Sequence, residues 1–310
     1  VDPVLSCRGL RRSFGERVVV DDVGFRVAPG ETYGLLGPNG AGKTTTISMV
    51  CGLLAPDGGE VVVAGMPMTP SALDAKAHVG LVPQELAVYP DLTATENLRF
   101  FGRLHRLADL AGRVEHVLDV VGLRDRADDR VSTYSGGMQR RLNIGIGLLH
   151  QPTLLVLDEP TVGVDPQSRD AILAAVEQLA DDGLAVVYTS HYMEEVERLA
   201  DRVGIMDHGR LVAEGTRREL VAMVGEKGQL TLTAAGDREG AARALDDVEG
   251  VERASATPEG LVATVDDASR RLPGVLGAVA AAGLDVTGVE VAEPDLEAVF
   301  LHLTGRALRD

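Results

Sequence analysis

Two short clusters could do chemistry on a phosphorylated ligand. Gly37-Pro38-Asn39-Gly40-Ala41-Gly42-Lys43-Thr44 fits the pattern G-x-x-x-x-G-K-[ST]. In such a loop the glycines let the backbone curl until its N–H groups face the phosphates. The following helix adds its positive end, the lysine a point charge for the β- and γ-phosphates, and the hydroxyl of Thr44 a ligand for Mg²⁺. A glycine-rich turn is the ordinary alternative, but the pattern arises by chance in roughly one chain of this length per hundred. Here it also lies between an apolar strand and a helix, so the candidate nucleotide contacts run from Gly37 through Thr45. Downstream, the apolar run Leu154 to Leu157 ends in Asp158-Glu159. Carboxylates at the end of such a strand lie at the carboxyl edge of the sheet, where open α/β folds bind ligands. Successive strand residues point to opposite sides, so one can reach Mg²⁺ through water while the other faces an attacking water.

The elements that must position these clusters follow from periodicity. Residues 5 to 33 read as antiparallel strands with Pro29-Gly30 as a turn, and Tyr33 to Leu36 as a short apolar strand running into the glycine-rich loop. Ser71 to Val131 reads as mostly helical, with Thr93-x-x-Glu96 as a capping box. Strands over Leu154 to Leu157 and Leu184 to Tyr188 flank a helix opened by Pro166. Apolar strands alternating with helices predict a mainly parallel sheet covered on both faces. A boundary is expected near Gly225-Glu226-Lys227-Gly228, giving domains 1–224 and 225–310. The second reads strand, helix, strand, strand, helix, strand, an α+β pattern of ferredoxin-like type, closed by an amphipathic helix from Asp295 to Leu303.

The chain of 310 residues, 45% hydrophobic and 25% charged, has the composition of a globular protein rather than a disordered one. No apolar run reaches the ~20 residues that span a bilayer, so direct membrane insertion is not expected. A net charge of −17 opposes phosphate backbones and sets nucleic acid aside as a partner. Arginine supplies nearly all the positive charge; Lys43, Lys76 and Lys227 are the only lysines. Cys7 and Cys51 lack metal spacing and read as thiols of a reducing cytoplasm. Val1-Asp2-Pro3 shows no leader pattern and suggests a processed or engineered start.

Tyr134-Ser135-Gly136-Gly137-Met138-Gln139-Arg140, between the two clusters, resembles the L-S-G-G-Q signature of ATP-binding cassette (ABC) proteins. An isolated Ser-Gly-Gly is simply a helix cap, but a hydroxyl and free amides at a positive helix end also make an anion site. Other cassette features match in order. Val82-Pro83-Gln84 resembles the Q-loop, Val162-Gly163-Val164-Asp165 the D-loop, Thr189-Ser190-His191 the switch-histidine loop, and Phe14 the aromatic that stacks on adenine. The resemblance covers about Leu5 to Leu220. It implies an ABC cassette of the P-loop NTPase fold: a mainly parallel sheet, an antiparallel β subdomain and a helical subdomain at about 85–150. It further implies ATP and Mg²⁺ as ligands, with Thr44, Gln84 and Asp158 at the metal. Glu159 would polarise water, Lys43 and His191 hold the γ-phosphate, and Asp165 couple two sites. Those sites would lie in a head-to-tail dimer, each between Gly37–Thr44 of one copy and Ser135, Gly136, Gly137 and Met138 of the other.

Glu293 to Arg306, the variant signature and Tyr192-Met193-Glu194-Glu195 resemble the daunorubicin-resistance-type subgroup. That implies an ATP-hydrolysing subunit of an ABC-2-type exporter, cytoplasmic and peripheral on its permease, moving a hydrophobic drug, lipid or glycan. Met138 departs from the signature glutamine. A soluble cassette acting on ribosomes or DNA is the rival; it fits poorly with one cassette, no long heptad run and an acidic surface. Two contact surfaces are expected as well. Glu85 to Arg103, with Leu86, Tyr89, Leu98, Phe100 and Phe101, would meet the permease, some of these side chains packing the helical subdomain instead; Leu296, Val299, Phe300 and Leu303 would either dock a partner or complete the module's own core.

Overall fold

In the computed structural model, β1 (Leu5–Phe14) and β2 (Arg17–Val27) pair antiparallel from Leu5↔Val27 to Phe14↔Arg17, turning at Gly15 with φ +60°. The structure describes residues 2–224, 227–292 and 295–305. β3 (Thr32–Leu36), buried at every position, runs into the glycine-rich loop and α1 (Lys43–Val50). β4 (Gly58–Val63) returns antiparallel to β1 and β5 (Met66–Pro67) pairs with β4, giving a sheet of order β2-β1-β4-β5. α2 (Leu73–Lys76) precedes β6 (Val79–Val82). β6 corrects the mostly helical reading of Ser71 to Val131: four apolar residues carry no period that separates strand from helix.

The helical region holds α3 (Ala94–Leu104), α4 (Leu110–Val120) and α5 (Gly136–Leu148). At α3 the capping box forms in full: Glu96 N–H donates to Thr93 Oγ1 at 3.1 Å, and Thr93 N–H to Glu96 Oε2 at 2.9 Å. Leu98, Val117, Leu142 and Ile144 build its core. Then follow β7 (Leu154–Asp158), α6 (Pro166–Asp181), β8 (Ala185–Ser190), α7 (Met193–Leu199), β9 (Arg202–Asp207) and β10 (Arg210–Gly215). The second sheet has order β10-β9-β3-β8-β7-β6, parallel throughout except for the antiparallel edge strand β10. β3, β7 and β8 are buried along their whole lengths, as continuous apolar strands covered on both faces must be. This order brings the ends of β3, β7 and β8 side by side.

Contacts divide the chain into two compact units, residues 2–217 and 218–305 among those described. The division falls at the start of α8 (Arg217–Val224). The second unit contains β11 (Gly228–Ala235), α9 (Arg238–Leu245), β12 (Val251–Thr257), β13 (Gly260–Val265), α10 (Ala268–Ala281), β14 (Asp285–Ala292) and α11 (Leu296–Thr304). Its sheet, β12-β13-β11-β14, is antiparallel throughout, the split βαβ order that the alternation of elements predicts. Leu230, Leu232, Leu245, Leu261, Val275 and Val279 form its core. Leu296, Val299 and Phe300 are fully buried within the chain, so of the two expected roles the chain itself, not a partner, covers them. Among the apolar residues of α11 only Leu301 and Leu303 are exposed. Gly225, Glu226, Glu293, Pro294 and Arg306 lie outside the described residues.

Candidate active site

β3 delivers the glycine-rich loop to the edge of the parallel sheet. Gly42, with φ +103°, turns the chain into α1, and a Cβ there would lie 2.7 Å from Val19 O. Gly42 is the N-cap of α1 and offers no side-chain bond, so the first N–H groups of this helix are left to an anion. The Lys43 side chain is buried at 4% exposure and curls back over the loop, donating to Gly37 O at 2.6 Å and Pro38 O at 3.2 Å. A cavity of about 420 Å³ opens in front of the loop, lined by Phe14, Asn39, Gly40, Gly42, Lys43, Thr44, Thr45, Gln84 and Glu159. Ala41 is buried behind it.

Glu159 is the point of convergence. Its Oε1 is 3.2 Å from Lys43 Nζ, and its Oε2 accepts from Gln84 Nε2 at 3.3 Å and lies 3.3 Å from His191 Nδ1. Lys43 opens α1 beyond the loop that follows β3, while Gln84, Glu159 and His191 lie just after β6, β7 and β8 respectively. His191 Nδ1 is buried without an aligned hydrogen bond, so its approach to Glu159 is a close polar contact. Glu159 has φ +46°, a left-handed conformation costly for a residue with a Cβ. Thr189 of β8 braces it: its Oγ1 accepts from Glu159 N–H at 3.0 Å and donates to Asp158 Oδ1 at 2.6 Å. One hydroxyl thus ties the Asp158 carboxylate to the Glu159 backbone, with Asp158 buried at 4% exposure.

The Gln84 loop hangs from α5, where Arg140 Nη1 and Asn143 Nδ2 donate to Pro83 O at 3.1 and 3.4 Å. Phe14 lies at the mouth of the cavity, half exposed, with the Arg12 guanidinium 5.0 Å from its ring centroid. Asp57 holds Arg12 and the backbone of Ser13 at 2.8 and 2.7 Å.

Ser135, Gly136, Gly137, Met138 and Asp165 do not line this cavity. They form a second group. Ser135 caps α5, accepting from Met138 N–H at 3.2 Å, and Met138 turns its side chain onto the core of the helical region. Asp165 caps α6, accepting from Ser168 N–H at 2.9 Å and Ser168 Oγ at 2.7 Å, bonds that hold its carboxyl below the usual carboxylate range. Gly137 joins the two caps, since a Cβ there would meet Ser168 Oγ at 2.1 Å. Gly136 has open space around it. The sequence assigned no site role to Arg17 and Val19 in the cavity wall, to Asn143 behind it, or to Thr189 and Arg140 beyond their place in the motifs. Thr189 had a signal: a hydroxyl directly before Ser190-His191 at the end of an apolar strand.

Mg²⁺ fits the donor set. A threonine hydroxyl, a glutamine amide and a carboxylate are hard oxygen ligands, and no group of three or more His, Cys, Asp or Glu able to hold a metal ion occurs among the described residues. That suits an ion held mainly by phosphate and water.

A parallel sheet with a phosphate loop after β3 and an acidic pair ending β7 defines a nucleotide-binding P-loop protein. Comparison with known proteins narrows this. Residues 20–162 match the ABC transporter family. The linearmycin resistance ATP-binding protein LnrL of Bacillus subtilis is 43% identical over 99% of this chain and 100% of its own length. A daunorubicin resistance ATP-binding protein of Streptomyces coeruleorubidus is 38% identical, covering 98% of this chain and 96% of its own. Among solved structures, an ATP-binding subunit of an ABC transporter matches with a TM-score of 0.65 at 28% identity, over 72% of this chain and 93% of that one. This chain belongs to the ABC transporter family, as an ATP-binding and ATP-hydrolysing subunit that works with a separate membrane permease. No described helix is long and apolar enough to cross a membrane.

Proposed function

We propose that this subunit hydrolyses ATP at Glu159 and drives export of a hydrophobic drug, lipid or glycan through an ABC-2-type permease. The observation that carries the site assignment is the convergence of Lys43, Gln84 and His191 on one buried carboxylate at the cavity wall. Phe14 stacks on the base, while the amides of Gly37 to Thr45 and the charge of Lys43 bind the phosphates. With a γ-phosphate between them, Lys43 turns its charge to phosphate oxygen and Glu159 accepts the proton of the attacking water. His191 donates to the γ-phosphate. Thr44, Gln84 and Asp158 would hold Mg²⁺, which supplies charge neutralisation between the β- and γ-phosphates.

Ser135 to Met138 and Asp165 lie outside the chain's own cavity, which supports a head-to-tail dimer in which each copy completes the other's site. The drug-resistance names of the relatives support export. They also support a peripheral position on the cytoplasmic side, where Leu86, Tyr89 and Phe100, exposed next to the Gln84 loop, face the permease. Leu98, fully buried, belongs to the helical core instead, and Phe101 packs against that core.

Phosphate release from the purified chain tests the assignment. Glu159→Gln keeps the contacts to phosphate but cannot accept a proton, so turnover falls by about 10²–10⁴ while ATP still binds. Wild-type turnover in this variant refutes the role of Glu159.

A further inference from the structure

Glu195 of α7 is a carboxylate at 2% exposure that lies outside the nucleotide cavity. Thr161 Oγ1 donates to its Oε1 and Oε2 at 2.7 and 2.9 Å. Tyr188 Oη and Ser190 Oγ donate to Oε2 at 2.9 and 2.8 Å. Arg169 Nε of α6 stands 3.3 Å from Oε1, a charge contact without hydrogen-bond alignment. Burial, and then the adjacent Glu195, push the Tyr188 phenol far above its ordinary range, so it remains a donor. A buried carboxylate is costly unless it is both paired and hydrogen-bonded, and this one is both.

The partners come from the segments that carry the hydrolytic groups. Thr161 lies in the loop between Glu159 and Asp165, Ser190 directly precedes His191, and Arg169 sits on the helix that Asp165 caps. Ser190 Oγ also accepts from Tyr192 N–H at 2.9 Å, so the turn that carries His191 is fastened across both flanks. The Arg169 guanidinium lies 4.8 Å from the centroid of the Tyr192 ring, and that ring lies 4.2 Å from the His191 ring. Contacts therefore run without a gap from Glu195 to His191 and on to Glu159. Three hydroxyl donors and a cation meeting on two oxygens call for a group that only accepts. A neutral amide would turn an N–H₂ toward at least one of them.

We infer that Glu195 is a positioning residue for hydrolysis, tying the loop from Glu159 to Asp165, the end of β8 and α6 into one unit that fixes His191 against Glu159. The inference rests on the proposed roles of Glu159 and His191.

The test uses the full chain and steady-state phosphate release, read as kcat and KM. Glu195→Gln is expected to lower kcat by about tenfold or more with KM within about twofold of wild type. Thr161→Val, which removes one donor at nearly constant volume, gives a smaller loss in the same direction and decides the matter if Glu195→Gln does not fold. Because Glu195 acts through His191, Glu195→Gln combined with His191→Ala is no slower than His191→Ala alone. The His191 ring proton resonances shift in the folded Glu195→Gln protein. Wild-type kcat in folded Glu195→Gln and Thr161→Val, or fully multiplicative losses in the double variant, overturns the inference. Glu159→Gln separates the two readings: if it abolishes turnover while Glu195→Gln does not change it, only the positioning role fails.

Discussion

Thr189→Val isolates the one hydroxyl that joins the Asp158 carboxylate to the Glu159 backbone amide. The side chain is fully buried, and valine keeps its volume while deleting the donor 2.6 Å from Asp158 Oδ1 and the acceptor 3.0 Å from Glu159 N–H. The Glu159 amide keeps a second acceptor, Thr189 O at 3.2 Å, so the loss falls mainly on Asp158. A hydrogen bond to an ionised acceptor contributes about 1.5–3 kcal/mol. For a unit of this size each kcal/mol moves Tm by about 2–4 °C, so Thr189→Val melts about 3–12 °C lower. Turnover falls as well, because the left-handed turn at Glu159 loses one of its two fastenings; half the lost energy expressed in the barrier is about four- to thirteenfold in kcat. Thermal melting by circular dichroism and phosphate release below the melting range measure the two effects. Thr189→Ser retains the hydroxyl and recovers most of both. If Thr189→Val melts within about 1 °C of wild type with unchanged kcat, or if Thr189→Ser is as impaired as Thr189→Val, the bracing role of the hydroxyl is refuted.

Lys43→Ala removes the charge between the loop carbonyls and Glu159, and calorimetry will show weakened ATP binding; unchanged affinity contradicts the phosphate-loop assignment. Gly137→Ala drives a methyl to 2.1 Å from Ser168 Oγ and disturbs the cap that Asp165 provides to α6. Overpacking of this kind costs about 1–3 kcal/mol, read as a lower Tm, while Gly136→Ala, with open space around it, is far milder in Tm. His150, its Nε2 3.0 Å from Val79 O and its ring stacked 4.2 Å from that of His105, has a pKa below 6.5 through burial and then through His105. Its folded pKa is below the unfolded one, so the unfolded state takes up more protons and stability falls as pH drops below about 6.5. The fall in Tm from pH 7.5 to 5.5 is therefore smaller in His150→Gln than in wild type; equal falls refute this role.

What could be read from the sequence is what local geometry dictates. The phosphate loop, the acidic strand end and the capping box at Thr93 are each complete within a few residues. Their chemistry depends on spacing along the chain, and the structure forms each of them where spacing puts it. β6 was not legible because four apolar residues bear no period, and β9 and β10 were missed although they complete the sheet. The face of α11 was legible as amphipathic, but an apolar stripe does not say whether a partner or the chain itself covers it; here it is the chain.

The groups that could not be read are those whose partners are remote in sequence. Thr189 is an ordinary strand residue until β7 and β8 lie side by side, which brings Asp158 opposite Thr189 in register. Only then can its hydroxyl reach both the Asp158 carboxylate and the Glu159 backbone N–H. Glu195 stands in the sequence only as part of the Tyr192-Met193-Glu194-Glu195 resemblance; its partners appear once Thr161, Tyr188 and Ser190 surround it at 2% exposure. The parallel sheet therefore does more than carry the motifs. By setting the carboxyl ends of β3, β6, β7 and β8 in one row, it brings four separate segments to a single site. The second row of supporting hydroxyls and carboxylates exists only because that order is kept. It follows that a change which slips β8 against β7, without touching any motif residue, should impair hydrolysis as surely as loss of Glu159.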